Sequence, residues 1–403
     1  MIGRGRLFIS GLQRAEPTAE VYVVEEPELY ERQRHVPFKS EILKETRLAP
    51  YQHTDQLLPL VRAWDAEVHF AAVVAGIEYG VTAAARAARA LGLRELGESA
   101  AHHLTNKLRL RELCRRARIP HPRFRSITSA ADVRDFFRYA PIVIKPANLQ
   151  ASAGVIKVVD ARHAERAFAE MSAARDDLVV SRDVPRGYLA EEFVAGDEVS
   201  VETLVRDGRP IFHNTTAKVT SNNGYFVELG HTVPADLPPR QLAELIAYQN
   251  RLVAALRAHD GFLHAEWKLT NQAPVLVECA GRVAGDYILD LIEIAYGLNV
   301  YSALVQVMSG EGPVLPRAAG QTACVRFFAP PAGRVQAIRG VEALDSADPR
   351  LVRSSIDVDT GSIIRPLTSS FSRVGHVITA ASNAADAQRC ADSLVGQIEF
   401  VVG

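Results

Sequence analysis

Two periods of hydrophobic and polar residues alternate along this chain, and the switches between them lay out its elements. RLFIS (6–10), EVYVV (20–24) and EVHFAAVV (67–74) are rich in β-branched and aromatic residues and read as strands. GVTAAARAARALGL (80–93) carries apolar residues at helical spacing and ends at Gly92. Strands separated by helices predict a small parallel α/β sheet over residues 1–100. A helix from about Glu98 to Arg118 follows, stopped by the prolines of IPHPRF. Then come strand PIVIKPA, the small-residue loop NLQASAG, strand VIKVV and the helix DARHAERAFAEMSAAR. YLAEEFVAG and DEVSVETLVRDG read as strands, the second ending in an Asp-Gly turn before RPIFHNTT. The loop SNNGYF and the long amphipathic helix PPRQLAELIAYQNRLVAALRAHDG lead to FLHAEWKL and PVLVECAG, a β-hairpin about Asn271, Gln272 and Pro274. Beyond Gly310, short strand-like pieces (CVRFFA, GRVQAI, GSIIR, RVGHVITAA) and the helix SNAADAQRCADSLVGQI predict a smaller α+β unit.

Composition narrows the class. At 403 residues, with 48% hydrophobic, the chain is long enough for two or three domains. A net charge of −1 gives no basic field for nucleic acid and no acidic excess for disorder. The locally basic stretch RLRELCRRARIPHPRFR (109–125) reads as a solvated helix face. Cys114, Cys279, Cys324 and Cys390 lie far apart without CxxC spacing, which argues against a zinc site or a disulfide framework. MIGRGRLFISGLQR lacks a signal-peptide core, and the most apolar run is broken by Glu78 and arginines. These features predict a soluble, cytoplasmic protein. The glycines of IGRGR precede the first predicted strand, so they are not a dinucleotide fingerprint.

Charged residues embedded in apolar runs carry the candidate chemistry. Glu266 and Glu278 lie on the two arms of the hairpin, with Arg282 just past it. Two carboxylates facing each other in an apolar setting repel unless a cation receives them. Mg²⁺ is a hard ion that accepts such ligands together with phosphates; a structural ion pair with Lys268 or Arg282 serves equally well. Lys145 ends the very apolar strand PIVIK, where a lysine is expelled unless an anion receives it. The loop after it, with Ser152, could expose backbone N–H groups to phosphate. No GxxxxGK[ST] is present, so this is not a P-loop. Asn106 and Lys107 open a helix. Glu78 falls at a predicted strand end, either as a ligand contact or as a charge favoured at a helix start. In AEEFVAGDEVSVE (190–202), alternation sets Glu198, Ser200 and Glu202 opposite Val199 and Val201, as in any half-exposed hairpin.

The order of these pieces is more telling than any one of them. A lysine before IPHP, then VIKP with its small loop, EEFVAGDEVSVE, ExxK and ECAGR together resemble the ATP-grasp superfamily of carboxylate–amine ligases over roughly residues 100–310. The resemblance implies an ATP-grasp fold with mixed α/β and α+β character. Its parts would be an N-terminal Rossmann-like domain (1–100), a two-lobed ATP-grasp domain (101–312) and a small C-terminal domain (313–403). It implies ATP and one or two Mg²⁺ ions, with Mn²⁺ as an alternative. Lys107 and Lys145 would contact ATP phosphates beside Ser152, and Glu191, Glu192 and the backbone around Phe193 and Val194 would lie at the adenine. Glu198 would reach the ribose, Glu266 and Glu278 would hold the metal, and Arg282 would bind the acceptor carboxylate and then the acyl-phosphate.

Within the superfamily, ECAGRVAGDYILDLIEIAYGLNV and KVTSNNGYFVELGHTVPA look most like bacterial L-amino-acid ligases that make dipeptides. That similarity implies that Glu228 and His231 hold the amino acid, although His231 also reads as an ordinary loop histidine. Lys218 would face the transferred phosphoryl group, and Asp286 would set pocket size or charge. Ala280 stands where most of the superfamily has asparagine, which leaves the ion count open. The expected partners are small molecules, amino acids above all, with neither nucleic acid nor membrane, in a homodimer. Loops 147–154 and 221–226 are candidate lids that would exclude water. The rival readings are an ATP-grasp enzyme acting on a nucleotide precursor or bicarbonate, and an ATP-binding module without catalysis.

Overall fold

Ile2 begins the first layer. In the computed structural model, which describes all residues except 37, 139–140, 181–186, 222–223 and 346–347, Ile2 lies parallel to both Val24 and Ala75. Beside it run the parallel strands β1 (Val21–Glu25) and β2 (Leu43–Leu48). RLFIS is not a strand: it opens the helix Arg6–Ala15, where Phe8, Ile9 and Leu12 recur at helical spacing and are buried. The glycines of IGRGR therefore follow an extended residue and lead into a helix, the reverse of the expected order. Gly5 serves close packing, because a Cβ there would stand 2.6 Å from the Gly76 carbonyl. EVHFAAVV also divides. Val68 ends the helix Leu57–Val68, His69 caps it in the left-handed region, and the chain then extends toward Ala75.

The single helix expected from Glu98 to Arg118 is two helices, Glu98–Leu104 and Lys107–Ala117. Thr105 Oγ1 donates back to the Ala101 carbonyl at 2.9 Å, and Asn106 leaves helical geometry to accept from the Arg109 N–H at 3.1 Å. An N-cap must be non-helical, so the helix restarts at Lys107 and presents that lysine on its first turn.

A four-stranded antiparallel sheet comes next: β3 (Phe124–Ile127), β4 (Ile142–Pro146), β5 (Ile156–Val158) and β6 (Tyr188–Glu192), in the order β3-β6-β4-β5. Ile142, Ile144 and Ala190 are buried in a cluster with Val133 and Phe136 of the helix Ala130–Phe136 and Met171 of the helix Ala164–Ala173. Alternation along a strand sends Lys145 and Glu191 to the other face.

The largest sheet is built from β7 (Asp197–Arg206), β8 (Arg209–Thr220), β9 (Glu228–Val233), β10 (Gly261–Leu269) and β11 (Pro274–Ala280). Six later strands follow: β12 (Thr322–Phe327), β13 (Gly333–Arg339), β14 (Leu351–Ile356), β15 (Ile363–Ile364), β16 (Gly375–Ala381) and β17 (Glu399–Val402). Three of these extend the large sheet, whose order is β11-β10-β7-β8-β9-β12-β16-β14; β15, β13 and β17 form a separate small one. The joint is β9 to β12, with Val325 opposite His231. Asp207 and Gly208, both at positive φ, make the β7–β8 turn.

Val199, Val201, Ala265 and Trp267 bury one face of the large sheet against the helix Pro239–Leu256. Full burial of each large apolar side chain there contributes about 1.5–3 kcal/mol. The apolar helices Ile288–Tyr296 and Val300–Ser309 pack with Phe8, Ile9 and Leu12 in the main core. Among the described residues, no single helix is long and apolar enough to cross a membrane.

Candidate active site

The polar face of the large sheet follows from the same period-two rule that buries its other face. Glu198, Ser200 and Glu202 on β7 lie across from Lys268, Glu266 and His264 on β10, in register. Glu266 in turn pairs with Glu278 on β11. The two hairpin carboxylates thus face each other, as the sequence suggests. A bulge after this pair leaves Val277 as the extra residue of β11, and its carbonyl accepts a hydrogen bond from Arg111.

Neither hairpin carboxylate pairs with Lys268 or Arg282, the partners that a structural ion pair would use. Glu266 is bonded to Lys218 of β8, and Glu278 lies 2.8 Å from Lys107. The Lys218 side chain is 1% exposed, with Glu228 at 3.5 Å and Glu198 at 3.8 Å besides Glu266. Burial alone lowers its affinity for a proton. The carboxylates of Glu266, Glu228 and Glu198 outweigh burial and hold the ammonium well above its ordinary range. Glu266 is the counterpart: burial opposes its charge, but Lys218 and His264 keep it ionised. His264 bridges two acids, 2.9 Å from Glu202 and 3.4 Å from Glu266. Against the pull of burial, these two carboxylates raise its affinity for a proton. Glu202 is fully buried and also accepts from Ser200, Asn214 and Thr216, so its charge is well satisfied.

A second cluster joins the four-stranded sheet to the large one, since Arg111 bonds both Glu191 of β6 and the Val277 carbonyl of β11. Glu191 is held by Arg111 at 2.5 Å and Lys145 at 2.6 Å, with all three side chains at most 4% exposed. The expectation put Glu191 at the adenine and Lys145 on a phosphate; here the two groups neutralise each other. Burial raises the proton affinity of Glu191, and the two cations reverse this to a lowered pKa. Lys107 also reaches across, donating to the Leu149 carbonyl at 2.6 Å. In the loop after β4, Ala151 and Ser152 adopt positive φ. The Ala153 and Val155 amides are spent on turn bonds inside that loop. Glu192 is exposed, 3.8 Å from Arg123. Phe193 stacks on Phe226 and lies beneath the Lys157 ammonium at 3.6 Å. The Val194 backbone makes no hydrogen bond among the described residues. Glu198 pairs with Lys268 at 3.1 Å.

The third cluster contains the residues expected to meet an amino acid. His231 is no loop residue: it sits on β9, is 1% exposed, and among the described residues neither ring nitrogen has a hydrogen-bond partner. Its Nε2 is 3.6 Å from Asp286. Asp286 is gripped by Arg373, at 2.8 and 2.6 Å. Burial disfavours the Asp286 charge, but His231 and Arg373 together hold its carboxyl far below the ordinary range. Arg282 pairs with Glu78 at 2.9 Å and donates to the Val283 carbonyl. Glu78 opens a short 3-10 turn, and burial raises its proton affinity in spite of Arg282.

Residues 222–223 of the second candidate lid lie outside the described residues. Cys279 is buried on the opposite face of the sheet among apolar side chains. Sequence reasoning passed over Arg111, His264 and Arg373. For His264 a signal existed, since it stands two residues before Glu266 on the same strand face. For Arg373, which is 87 residues from Asp286, there was none. Among the described residues no three His, Cys, Asp or Glu side chains converge on one metal position.

A four-stranded sheet and a larger antiparallel sheet that carry paired lysines and carboxylates make up an ATP-grasp fold, and residues 138–290 match the ATP-grasp domain family. Residues 326–403 match the L-amino acid ligase C-terminal domain 2, so the chain carries an ATP-grasp domain followed by that C-terminal domain. The crystal structure of L-amino acid ligase from Bacillus licheniformis superposes with a TM-score of 0.80 at 20% identity, covering 100% of this chain and 98% of that one. The alanine–anticapsin ligase of Bacillus subtilis (strain 168) is 27% identical over 270 residues, 61% of this chain and 55% of that protein. Carnosine synthase 1 of Homo sapiens is 30% identical over 204 residues, 47% of this chain and 24% of that protein. The chain thus spans little more than half the length of the alanine–anticapsin ligase and about a quarter of that of carnosine synthase 1.

Proposed function

We propose that this protein is an ATP-dependent, ADP-forming ligase that joins the carboxylate of an amino acid to an amine, most simply that of a second amino acid. One observation carries the reading. A face of Glu266, Glu278, Lys218 and Lys107 adjoins, through Lys218, the polar cluster of Glu228, His231 and Asp286, while the Arg282–Glu78 pair stands apart from that cluster. The similarity to alanine–anticapsin ligase, carnosine synthase 1 and an L-amino acid ligase supports amino acids as the substrate class.

In this reading, a substrate carboxylate oxygen attacks the γ-phosphorus of ATP, and the bond to the leaving ADP oxygen breaks. The amine nitrogen then attacks the acyl carbon, phosphate leaves, and the nitrogen gives up a proton. No side-chain nucleophile is needed; the protein positions reactants and offsets charge. Lys107, Lys145 and the loop around Ser152 serve the phosphates. Glu192, Phe193, Val194 and Glu198 serve the nucleoside, and Glu191 acts by holding Lys145 in place. Arg282 receives the carboxylate, and Glu228 and His231 receive the ammonium group.

The donor set fits a hard divalent cation, since Glu266 and Glu278 are cross-strand partners on one face. Mg²⁺ bound there would neutralise charge on the phosphates. Ala280 supplies no third ligand, which favours a metal held largely by these two carboxylates. We read residues 1–100, 101–312 and 313–403 as the three domains.

ADP release measured over single and paired amino acids with MgATP tests the proposal. Release should require at least one amino acid, and a new amide should appear in equal amount. Release driven only by bicarbonate or a nucleotide precursor would refute it, as would MgATP binding without any release. Glu278→Gln should abolish release while the fold persists.

A further inference from the structure

We infer that Arg373, assisted by Ser370, is a positioning residue for the amino-acid end of the site, contributed by the C-terminal unit. The inference rests on the ligase reading above. Arg373 precedes β16, and three of its four hydrogen bonds converge on that end. Its two terminal nitrogens clasp Asp286 at 2.8 and 2.6 Å, Nη1 also donates to the Glu228 carbonyl at 3.1 Å, and Nε donates to the Ser370 carbonyl at 2.8 Å. The guanidinium carbon lies 3.8 Å from the centre of the Phe327 ring, and 10% of the side chain is exposed. A planar fork paired with a carboxylate and laid on an aromatic face has one orientation, which a lysine cannot reproduce. Ser370 Oγ meanwhile donates to Glu228 Oε2 at 3.0 Å, leaving Oε1 toward Lys218.

Backbone geometry supports the same role independently. Asp286 and Tyr287 are consecutive non-glycine residues at φ 53° and 63°, a conformation that side chains with a Cβ disfavour. Each is held by residues of the C-terminal unit. Arg373 grips Asp286, His376 stacks on Tyr287 with ring centres 4.2 Å apart, and Arg353 lies over the same ring at 5.1 Å. Without Arg373, the Asp286 carboxylate would lose its cation, and the pair 286–287 would lose the contact that opposes its relaxation. Arg373 itself touches none of Lys107, Lys145, Lys218 and Lys268, so its loss should leave the nucleotide side unmoved.

Steady-state kinetics of the full chain, with the amino acid varied at saturating MgATP, tests this beside calorimetric binding of MgATP. Arg373→Ala should raise the KM for the amino acid by about tenfold or more and leave the MgATP Kd within about twofold, with Arg373→Lys recovering only part. Ser370→Ala, which removes one donor and no packing, should raise the same KM by about threefold without moving the unfolding midpoint. If Arg373→Ala does not fold, Ser370→Ala decides. An unchanged amino-acid KM in an active protein overturns this inference alone, as does an equal loss of MgATP affinity. A wild-type protein that no amino acid activates overturns the ligase reading and this inference together.

Discussion

Replacing Glu191 by glutamine asks whether that residue serves the nucleotide or the fold. The change keeps size and shape but removes the charge between Arg111 and Lys145, leaving two cations against each other, 0% and 4% exposed. Removing one partner from a buried ion cluster costs about 3–5 kcal/mol, because the remaining charge has no solvent to receive it. At about 2–4 °C per kcal/mol for a cooperative unit of 150–250 residues, the unfolding midpoint should fall by roughly 6–20 °C. Glu192→Gln is the internal control. Its carboxylate is 47% exposed and 3.8 Å from Arg123, and such surface pairs contribute about 0–1 kcal/mol. Differential scanning calorimetry of both variants and the wild type, with and without MgATP, reads the outcome. A Glu191→Gln protein that melts within about two degrees of wild type but loses MgATP affinity would refute the reasoning and return Glu191 to the adenine.

Other outcomes follow from the same structure. Glu191 and Glu202 have folded-state pKa values below their ordinary value of 4.5, so each adds stability above that pH, which is lost as pH falls through the folded value. His264 has the opposite sign: raised above 6.5, it adds stability that is complete below that pH and is lost as pH rises through its folded value. Unfolding midpoints measured from acid to alkaline pH should therefore decline on both sides, and His264→Gln should flatten the alkaline side; a curve level below pH 4.5 would contradict the assignment of the acids. Gly196→Ala should destabilise by about 2–3 kcal/mol, read as a lower urea midpoint at unchanged slope. Its Cβ would stand 2.1 Å from the Leu269 carbonyl at a φ of 135°, and a midpoint equal to wild type would mean that the turn relaxes without cost.

The hairpin and the alternating face of β7 were legible because period two acts locally: neighbours on a strand face are neighbours in the sequence pattern. The class of the chain was legible because several such pieces occur in one order. RLFIS was misread because Phe8 and Ile9 suit a strand as well as a helix over five residues, and only burial of Leu12 beyond them decides. The break at Thr105–Asn106 rests on two side chains bonding to backbone, a choice that helical periodicity does not register. Lys218 and Lys107 as the partners of Glu266 and Glu278 depend on which strands and helices adjoin, and so does the Arg111–Glu191 pair. Those are long-range facts that no local window contains.

The pairing of β9 with β12 also bears on how the protein can be divided. A chain ending before Thr322 would keep Lys107, Lys218, Glu266 and Glu278 yet leave β9, with its N–H and C=O groups from Gly230 to Val233, as an open strand margin. Such margins recruit strands from other molecules. Removal of the last segment should therefore yield a self-associating species, read as a larger mass by light scattering, instead of a smaller monomeric core; a monomeric product would mean that the β9 margin is covered in another way.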